Sequence, residues 1–341
     1  MQVKNRDKID FVVTWLDAND PLWQEQFWKA RGKERPEDKG RYRNWDIFKY
    51  WFRAVENYAP WVNKVFLVTN GKFPEWINIK CEKLELVKHS DFIAEKYLPT
   101  FNSCAIEINF NRINNLSEQF VYFNDDFFLN GPIGPEYYFK EGLPCDCNAE
   151  KFGLTPYYSP LDKFRNRIRV YCDIAVINHY FDRRKVVSAE PWKWYGTHLW
   201  GKHLLVSLIQ RHSSNFEAFV LRHNEQPMLK SVIQEIWDKE PYMCEQTCSQ
   251  FRQDISLNPY IIRYWQFATN RFHPVRKNYG KYFGLGVESK EVIRKALMDT
   301  ALKSICLNDT SQCDDEAYMS YKSMLQEVFE QKFPKKSSFE I

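Results

Sequence analysis

The segment FVYFNDDFFLNGP, residues 120–132, places Asn124, Asp125 and Asp126 between two runs of aromatic and aliphatic residues. Burying carboxylates without partners is costly, so a metal ion, a basic group or exposure at a strand end must compensate these acids. The residues just before them, Gln119–Phe123, form a short apolar run rich in β-forming types, which predicts a buried strand. The acids would then stand at the carboxyl end of that strand, where ligands bind in open α/β sheets.

Upstream of this segment, strand-like and helix-like patterns alternate. Strands are predicted at residues 9–15, 64–69 and 84–89, and apolar residues at helical spacing predict helices over Asp46–Tyr58 and Asn102–Ile113. Such alternation is typical of a doubly wound α/β fold with a mostly parallel sheet. The first and second strands also end in polar residues, so three strand ends are predicted to face one cleft.

Residues 131–222 show no regular pattern, and we interpret them as an insertion or lid, because long irregular segments often carry substrate-binding loops. The chain therefore divides into an α/β part at 1–130, this insertion, and a helical part at 223–341 that completes the same domain. Helices in the last part are predicted over Gln226–Asp238, Asn258–Thr269, Lys290–Leu302 and 315–331.

Composition narrows the class of protein. The 341 residues include 48 basic and 44 acidic side chains, a balance too even for a protein that coats nucleic acid. The nine cysteines follow no repeated spacing and are predicted to be reduced thiols, which favours the cytosol. No segment is apolar over the length needed to cross a bilayer, so we expect a cytoplasmic protein that does not use its sequons at Asn115 and Asn308.

Taken alone, the candidate site residues are ambiguous. The adjacent acids Asp125 and Asp126 suit Mg2+ or Mn2+ on a diphosphate, because these ions prefer oxygen ligands, but an exposed turn explains them about as often. On the predicted helix, Ser103, Glu107 and Asn111 form a polar stripe that is typical of a solvated face. Arginine binds phosphate oxygens through its planar fork, yet a single arginine is more often a surface charge and a lone histidine more often structural. The basic candidates are Arg41, Arg43, Arg222, His223 and Arg252.

Four blocks of the sequence resemble the Stealth proteins, sugar-phosphate transferases of bacterial capsule synthesis that are similar to the catalytic core of N-acetylglucosamine-1-phosphotransferase. The blocks occur in order and cover nearly the whole chain apart from the insertion. One departure is Ala18, where the family usually has glycine, which weakens the case for a positive-φ turn there. The blocks are IDFVVTWLDANDP at 9–21, the run from RYRNWDIFKYW at 41 to FVYFNDDFFL at 129, HNEQPMLKSVIQEIW at 223–237 with SQFRQDISLNPYIIRYWQFATNRFHP at 249–274, and ICLNDT at 305–310 trailing to FPKKSSFE.

This resemblance implies a Rossmann-like sheet similar to those of nucleotide-sugar transferases, and it implies a reaction. A sugar-1-phosphate, from a hexose or an N-acetylhexosamine, would pass from a nucleotide sugar such as UDP-GlcNAc to a hydroxyl of a cell-surface or capsular glycan. The acceptor would be free or lipid-linked, the product would be a phosphodiester, and a nucleoside monophosphate would leave. The expected cofactor is Mg2+, with Mn2+ as the alternative, and the expected partners include no nucleic acid.

The resemblance also assigns roles to residues. The family's catalytic residues fall on Glu107, Asp126, His223 and Arg252, which revises the structural interpretation of the stripe and the histidine. We expect His223 to be the general base with Asp126 as the competing choice, Glu107 to orient either one, and Arg252 to neutralise charge on the phosphoryl group. Asp125 and Asp126 would hold the metal. The expected substrate-binding residues are Asp17, Asn19, Asp20, Arg41, Arg43, Asn102, Asn124, Asn308 and Asp309.

Two rival functions stay open at this point. A metal-dependent glycosyltransferase would use the same acids but release a nucleoside diphosphate, and a carbohydrate-binding protein without catalysis would consume no nucleotide. Peripheral association with the inner face of the membrane is also open, because the insertion is rich in aromatic residues that a packed core would explain equally well. These are Tyr157, Tyr158, Trp192, Trp194 and Tyr195.

Overall fold

The computed structural model describes residues 8–32, 43–153, 161–276 and 280–341, with side chains from residue 168 onward in the helix that begins at Leu161. The predicted residues Arg41, Tyr157 and Tyr158 lie outside these ranges. The strands are β1 Ile9–Thr14, β2 Val65–Thr69, β3 Leu84–Lys88, β4 Gln119–Phe123, β5 Phe127–Leu129, β6 Phe139–Lys140, β7 Leu143–Asp146, β8 Glu150–Lys151, β9 Ala218–Phe219, β10 Gln226–Leu229, β11 His273–Pro274, β12 Lys281–Leu285 and β13 Ser304–Asp309.

The helices surround these strands and are joined by short 3-10 turns at 89–91, 95–97, 110–112, 135–137, 191–193 and 210–212. The α-helices are α1 Pro21–Arg31, α2 Phe48–Tyr58, α3 Ser103–Glu107, α4 Leu161–Tyr180, α5 Arg183–Ala189, α6 Lys202–Ile209, α7 Lys230–Lys239, α8 Pro241–Thr247, α9 Tyr260–Ala268, α10 Lys290–Met298 and α11 Asp315–Lys332.

The central sheet has the strand order β10-β4-β1-β2-β3. The pairs β4-β1, β1-β2 and β2-β3 are parallel, and β10 runs antiparallel to β4 at one edge. Strands β1, β2 and β4 are buried almost throughout, as expected when helices cover both faces of a parallel sheet. The predicted α/β fold with a mostly parallel sheet is confirmed.

A smaller sheet brings the C-terminal part of the chain to the end of β4. In it, β13 pairs antiparallel with β5 and parallel with β12, so that Cys306 lies opposite Phe127. Because β5 begins one residue after Asp126, this pairing places β13 directly beside the acidic turn. Residues separated by about half of the sequence thus meet at one edge of the sheet.

Two predicted helices differ from the structure for identifiable reasons. The first four residues of the predicted helix at 226–238 instead form β10, because their apolar side chains complete the edge of the sheet against β4. A short apolar run does not by itself distinguish a strand from a buried helical turn. Pro227 is tolerated there because an edge strand does not need every N–H in its ladder. The predicted helix at 102–113 is split into α3 and a 3-10 turn at Phe110–Arg112.

The region 131–222 contains more regular structure than its sequence pattern indicated. It holds α4, α5 and α6, and the buried side chains of Ile177 and Trp194 belong to the same continuous core as the central sheet. Helix α4 packs against α9 of the C-terminal part. Buried Arg183 forms an ion pair with buried Glu150 at 2.7 Å, which joins α5 to β8. Among the helices of the described ranges, none has the length and apolarity that crossing a membrane requires.

The C-terminus is tied to α2 by a buried arginine. The guanidinium of Arg53 donates to both carboxylate oxygens of Glu340 at 2.8 Å and to the carbonyl of Phe333 at 2.7 Å. The side chains of Arg53 and Glu340 are 4% and 3% exposed. Removing one partner of such a pair leaves the other charge buried and uncompensated.

We expect Arg53→Ala to lower the free energy of unfolding by about 3–5 kcal/mol, because Glu340 would stay buried without the guanidinium that compensates its charge. Urea denaturation measures the change. Arg294→Ala is the matched control, since Arg294 makes the same two-pronged contact with Glu327 at the surface. Exposed pairs contribute about 0–1 kcal/mol, so equal losses in the two variants would contradict the structural role of Arg53.

Candidate functional site

The acidic turn is held in place by hydrogen bonds at the end of β4. The hydroxyl of buried Tyr122 donates to the side-chain oxygen of Asn124 and lies 3.4 Å from the hydroxyl of Thr14 at the end of β1. The N–H of Phe127 donates to the carbonyl of Asn124 at 3.1 Å and closes the turn. Asn124 is therefore part of the frame that directs the two following acids.

Asp126 is the centre of the site. Its Oδ2 lies 3.6 Å from Nε2 of His223 and accepts a hydrogen bond from Sγ of Cys306 at 3.3 Å. Its carbonyl accepts from the N–H of Leu307 at 2.9 Å, so β13 holds both its backbone and its side chain. Its other carboxylate oxygen, Oδ1, is buried and has no hydrogen-bond partner among the described residues. That oxygen is available to a ligand.

His223 stands at the surface of the cleft with its ring held on two sides. The ring packs edge-on against Phe127 at 4.9 Å and near Tyr282 at 6.1 Å between ring centroids. The hydroxyl of Tyr260 donates to the carbonyl of Arg222 at 2.9 Å and fixes the backbone just before it. The side chain is still 45% exposed, so a substrate can reach it.

Glu107 and Arg252 meet on the other side of the site. Glu107 is buried on α3, and burial raises the pKa of its carboxyl to about 7. The charge of Arg252 opposes this rise most strongly, followed by the nearby hydroxyls of Ser103 and Tyr122 and the charge of His223. Arg252 donates to the hydroxyl of Ser103. The interpretation of the stripe as a solvated face is thus wrong, because its members are drawn into contacts with other parts of the chain.

Asn111, the last member of that stripe, turns away from the site. Its amide donates to the side-chain oxygen of Gln234 on α7 at 2.8 Å. The helical periodicity breaks after α3, which separates Asn111 from Ser103 and Glu107. The structure therefore brings Asp126, His223, Glu107 and Arg252 together around Tyr122, and their catalytic roles stay predictions.

Asp125 occupies a different environment from its neighbour. It reaches the surface of the cleft, yet the surrounding protein desolvates its carboxyl and, with the negative charge of Asp126, raises its pKa to about 7. A divalent cation beside both acids would reverse that effect by favouring the charged form. Their oxygens are the donors that Mg2+ and Mn2+ prefer.

A second donor set overlaps with this one. Single donor atoms from Asp126, His223 and Cys306 lie within 4.8 Å of one another. A carboxylate, an imidazole and a thiol together suit Zn2+ better than Mg2+, which takes oxygen ligands. The residues around Asp126 therefore fit a divalent cation in two ways, and only the oxygen set fits the predicted ion.

The loop after β1 supplies one group of predicted substrate-binding residues. Asp17 accepts from the N–H of Asn19 at 3.0 Å and lies 3.4 Å from the ammonium of Lys72 at the end of β2. Asp20 is buried and caps the N-terminus of α1 by accepting from the N–H of Leu22. Asn19 is exposed between them. This loop stands where the parallel strands end, and its contact with substrate stays a prediction.

The other predicted binding residues lie along β13 and beside it. Asn308 donates to the hydroxyl of Tyr282 at 2.9 Å, which places it near His223. Asp309 lies 3.8 Å from the guanidinium of Arg43. Arg43 also donates to the carbonyl of Cys313 and to Asp315, and it stacks on Tyr318.

Asn102 lies in the wall beneath the site rather than on its surface. It is completely buried, caps α3 by accepting from the N–H of Cys104, and donates to the carbonyls of Thr247 and Ser249. Those carbonyls shortly precede Arg252, so Asn102 positions α3 and the arginine segment together. A direct contact with substrate stays a prediction.

Two residues near the site did not emerge from the sequence. Cys306 lies in the block ICLNDT but is not among the predicted site residues. Its position in the strand at 304–309 puts it on the same face as Ser304 and Asn308. Arg169 lies in the insertion and donates to the carbonyl of Gln253 at 3.3 Å. Burial raises the pKa of the Cys104 thiol to about 11, and the charges of Arg252 and Arg169 both oppose that rise, so both arginines lie within electrostatic range of this thiol on α3.

Comparisons with known proteins identify relatives over the whole chain. Residues 41–145 match Stealth protein CR2, conserved region 2, and residues 294–341 match Stealth protein CR4, conserved region 4. The capsular polysaccharide phosphotransferase WcwK of Streptococcus pneumoniae is 37% identical over 98% of this chain and 99% of its own length. The receptor polysaccharide phosphotransferase WefC of Streptococcus oralis is 35% identical over 98% of this chain and its full length. The exopolysaccharide phosphotransferase cps2G of Lactiplantibacillus plantarum is 33% identical over 97% of this chain and 96% of its own length.

Among solved structures, an active-site mutant of LgtC overlaps with 93% of this chain and 95% of its own, at 7% identity and a TM-score of 0.37. An overlap this loose has no bearing on the chemistry of the site.

The raised pKa of Glu107 gives a prediction for stability against pH. A carboxyl whose pKa is higher in the folded state stabilises the fold below its unfolded pKa, and this contribution is lost as pH rises through about 7. We therefore expect Glu107→Gln to gain stability relative to the parent between pH 5 and pH 8, by about 1–3 kcal/mol. Urea denaturation at several pH values measures the difference.

Glu25→Gln is the control, because it makes the same carboxyl-to-amide change at an exposed position on α1. Parallel stability curves for the parent and Glu107→Gln would show that burial does not shift the Glu107 carboxyl.

Proposed function

Because the chain belongs to the Stealth family of polysaccharide phosphotransferases, we propose that it transfers a sugar-1-phosphate from a nucleotide sugar to a hydroxyl of a cell-surface or capsular glycan. The sugar is a hexose or an N-acetylhexosamine, with UDP-GlcNAc as the first donor to test. The observation that carries the proposal is the meeting of the Asp126–His223 pair with Glu107 and Arg252 at the end of the parallel sheet.

The reaction exchanges one bond at phosphorus for another. The acceptor hydroxyl oxygen forms a bond to the phosphorus that carries the sugar, and the bond from that phosphorus to the bridging oxygen of the diphosphate breaks. The nucleoside monophosphate leaves with that oxygen, and the proton of the hydroxyl passes to the general base. Most of the catalysis in such a transfer comes from positioning and from neutralising charge.

His223 is the base in this proposal. With Nε2 turned toward Asp126, Nδ1 is the nitrogen that takes the proton, and the carboxylate stabilises the imidazolium that forms. Phe127 and Tyr282 limit the rotation of the ring, and its exposure lets the acceptor approach. Glu107 acts from the buried side, where it influences both His223 and Arg252.

Arg252 neutralises the phosphoryl group that is being transferred. It is exposed to the cleft, and Ser103 orients its guanidinium. A planar guanidinium can bind two phosphate oxygens at once, and it stays charged at any pH the protein meets. Arg169 adds a second positive charge on the same side, supplied by α4 of the insertion.

Asp125 and Asp126 would hold Mg2+ or Mn2+, and the ion would neutralise charge on the diphosphate. The buried Oδ1 of Asp126, which has no hydrogen-bond partner among the described residues, and the adjacent carboxyl of Asp125 at the cleft surface support this assignment. The nucleotide and sugar would lie between the β1 loop, with Asp17, Asn19 and Asp20, and the opposite wall. The wall residues are Arg43, Asn124, Asn308 and Asp309.

The first test separates this reaction from that of a metal-dependent glycosyltransferase, which would use the same acidic turn. The purified protein is incubated with UDP-GlcNAc, Mg2+ and a panel of surface glycans, and the release of UMP and UDP is followed together. We expect UMP, with phosphorus in the glycan product, and we expect Asp126→Asn to abolish both. Release of UDP without phosphorus in the glycan would establish the glycosyltransferase instead.

The second test concerns the base. We expect His223→Ala to lower the turnover rate by about 10²–10⁴-fold, the usual contribution of a general base. The rate is measured at saturating substrate under conditions in which the chemical step is rate-limiting. His179→Ala is the control, because His179 is exposed near the end of α4. Near-full turnover by His223→Ala would show that His223 is not the base and would favour Asp126 instead.

A further inference from the structure

Helix α6 exposes an apolar surface that the proposed reaction does not use. Trp200, Leu205, Leu208 and Ile209 are 61%, 58%, 43% and 58% exposed, and we call these four residues the α6 surface. Positions 205, 208 and 209 share one face of the helix at the spacing i, i+3, i+4, and Trp200 lies just before its first turn. Single exposed leucines are common in proteins, but an exposed cluster of this kind marks an interaction site.

The opposite face of α6 is anchored in the fold. Leu199 is buried and Leu204 packs beside it, against a small core formed with Cys147 and Ala149. Ser207 is also buried. Helix α6 is therefore held firmly by one face while the α6 surface points outward.

The segment that carries the α6 surface contains charges of one sign. Residues 191–216 contain no aspartate or glutamate but contain Lys193, Lys202 and Arg211, whereas acids and bases are nearly balanced over the whole chain. Lys193 is paired with Glu190, but Lys202 and Arg211 are exposed at the two ends of α6. The guanidinium of Arg276 lies 4.1 Å from the ring of Trp200.

Exposed apolar side chains beside basic ones favour a lipid surface, rather than a second copy of the chain, as the partner of the α6 surface. Helix α6 has eight residues and is about 12 Å long, so the α6 surface is far smaller than the roughly 800 Å² per partner that a stable interface buries. A bilayer needs only shallow insertion of a few apolar side chains, with cations beside anionic headgroups. Tryptophan is enriched at the boundary between lipid and water.

We propose that the α6 surface adsorbs to the face of an anionic lipid bilayer, with its four side chains among the headgroups and Lys202, Arg211 and Arg276 beside lipid phosphates. The buried Trp194 has no part in this contact, and exposed Trp192 lies on the same segment. The inference rests on the proposed function in one respect: adsorption would bring the cleft to a lipid-linked acceptor. The adsorption itself needs no substrate.

The experiment is co-sedimentation of the full chain with vesicles, without nucleotide sugar or glycan. One set of vesicles contains equal amounts of phosphatidylglycerol and phosphatidylcholine, and the other contains phosphatidylcholine alone. We expect binding to the anionic vesicles, weakened by salt, and little binding to the neutral ones. The double variant Leu205→Ser/Ile209→Ser should bind the vesicles at least about tenfold more weakly. Moving one apolar side chain of this size from water into lipid already raises the affinity by about tenfold.

The matched control is Ile79→Ser/Met319→Ser, which removes two exposed apolar side chains, 71% and 63% exposed, from other parts of the chain. It should bind like the parent protein. A second variant, Lys202→Gln/Arg211→Gln, should lose binding to anionic vesicles in particular.

Three results would overturn the proposal: no vesicle binding by the parent chain, equal losses in the α6 and control variants, or self-association in solution that the α6 variant abolishes. An assay of sugar-phosphate transfer to a water-soluble glycan separates a failure of the proposed reaction from a failure of the membrane proposal. The α6 variant should retain that transfer if it is folded, and vesicle binding that persists without any transfer would refute the reaction alone.

Discussion

The antiparallel pairing of β5 with β13 is the constraint on which the rest of the site depends. It joins the turn after β4 to a strand nearly two hundred positions later, and in doing so it places Cys306 and the N–H of Leu307 against Asp126. Without β13, the acids would stand at the end of a parallel sheet with one side open. The two regions that match the Stealth conserved regions therefore meet at this pairing, and the buried contact of Arg53 with Glu340 ties the same two regions together a second time.

The electrostatics of the cleft follow from this packing. Three carboxyl groups lie close together. Burial raises the pKa of Glu107 to about 7, and desolvation by the surrounding protein, with the charge of Asp126, raises the pKa of Asp125 at the cleft surface to about 7. Concentrating acids in this way opposes folding, while it prepares a site for cations and for groups that carry protons. Arg252 supplies the opposite charge beside Glu107, where Ser103 holds its guanidinium. The cleft therefore combines acidic groups with a basic one, and His223 stands beside Asp126.

Several features were predictable because they depend on local pattern. Apolar runs of five or six residues identified β1, β2 and β4, and periodicity identified α2, α10 and α11 to within a few residues. The strand β10 was not predictable, because Gln226–Leu229 reads equally well as the first turn of α7 until the edge of β4 is available to pair with it. The regular helices of the insertion were missed for a similar reason: their apolar residues pack on α9 and the common core, which a local pattern does not reveal.

By itself the sequence determined the class of fold and the family, because strand periodicity and motif order are properties of the chain alone. Through the resemblance it also predicted Glu107, Asp126, His223 and Arg252 as the catalytic residues, which stays a prediction. Only the tertiary structure decided which of the other candidates face the cleft. It placed Asn102 in the wall, turned Asn111 toward Gln234 on α7, set Cys306 beside Asp126, and brought Arg169 of the insertion against the carbonyl of Gln253. Contacts of this kind arise from the pairing of distant strands and the packing of distant helices, and these depend on burial in three dimensions rather than on spacing along the chain.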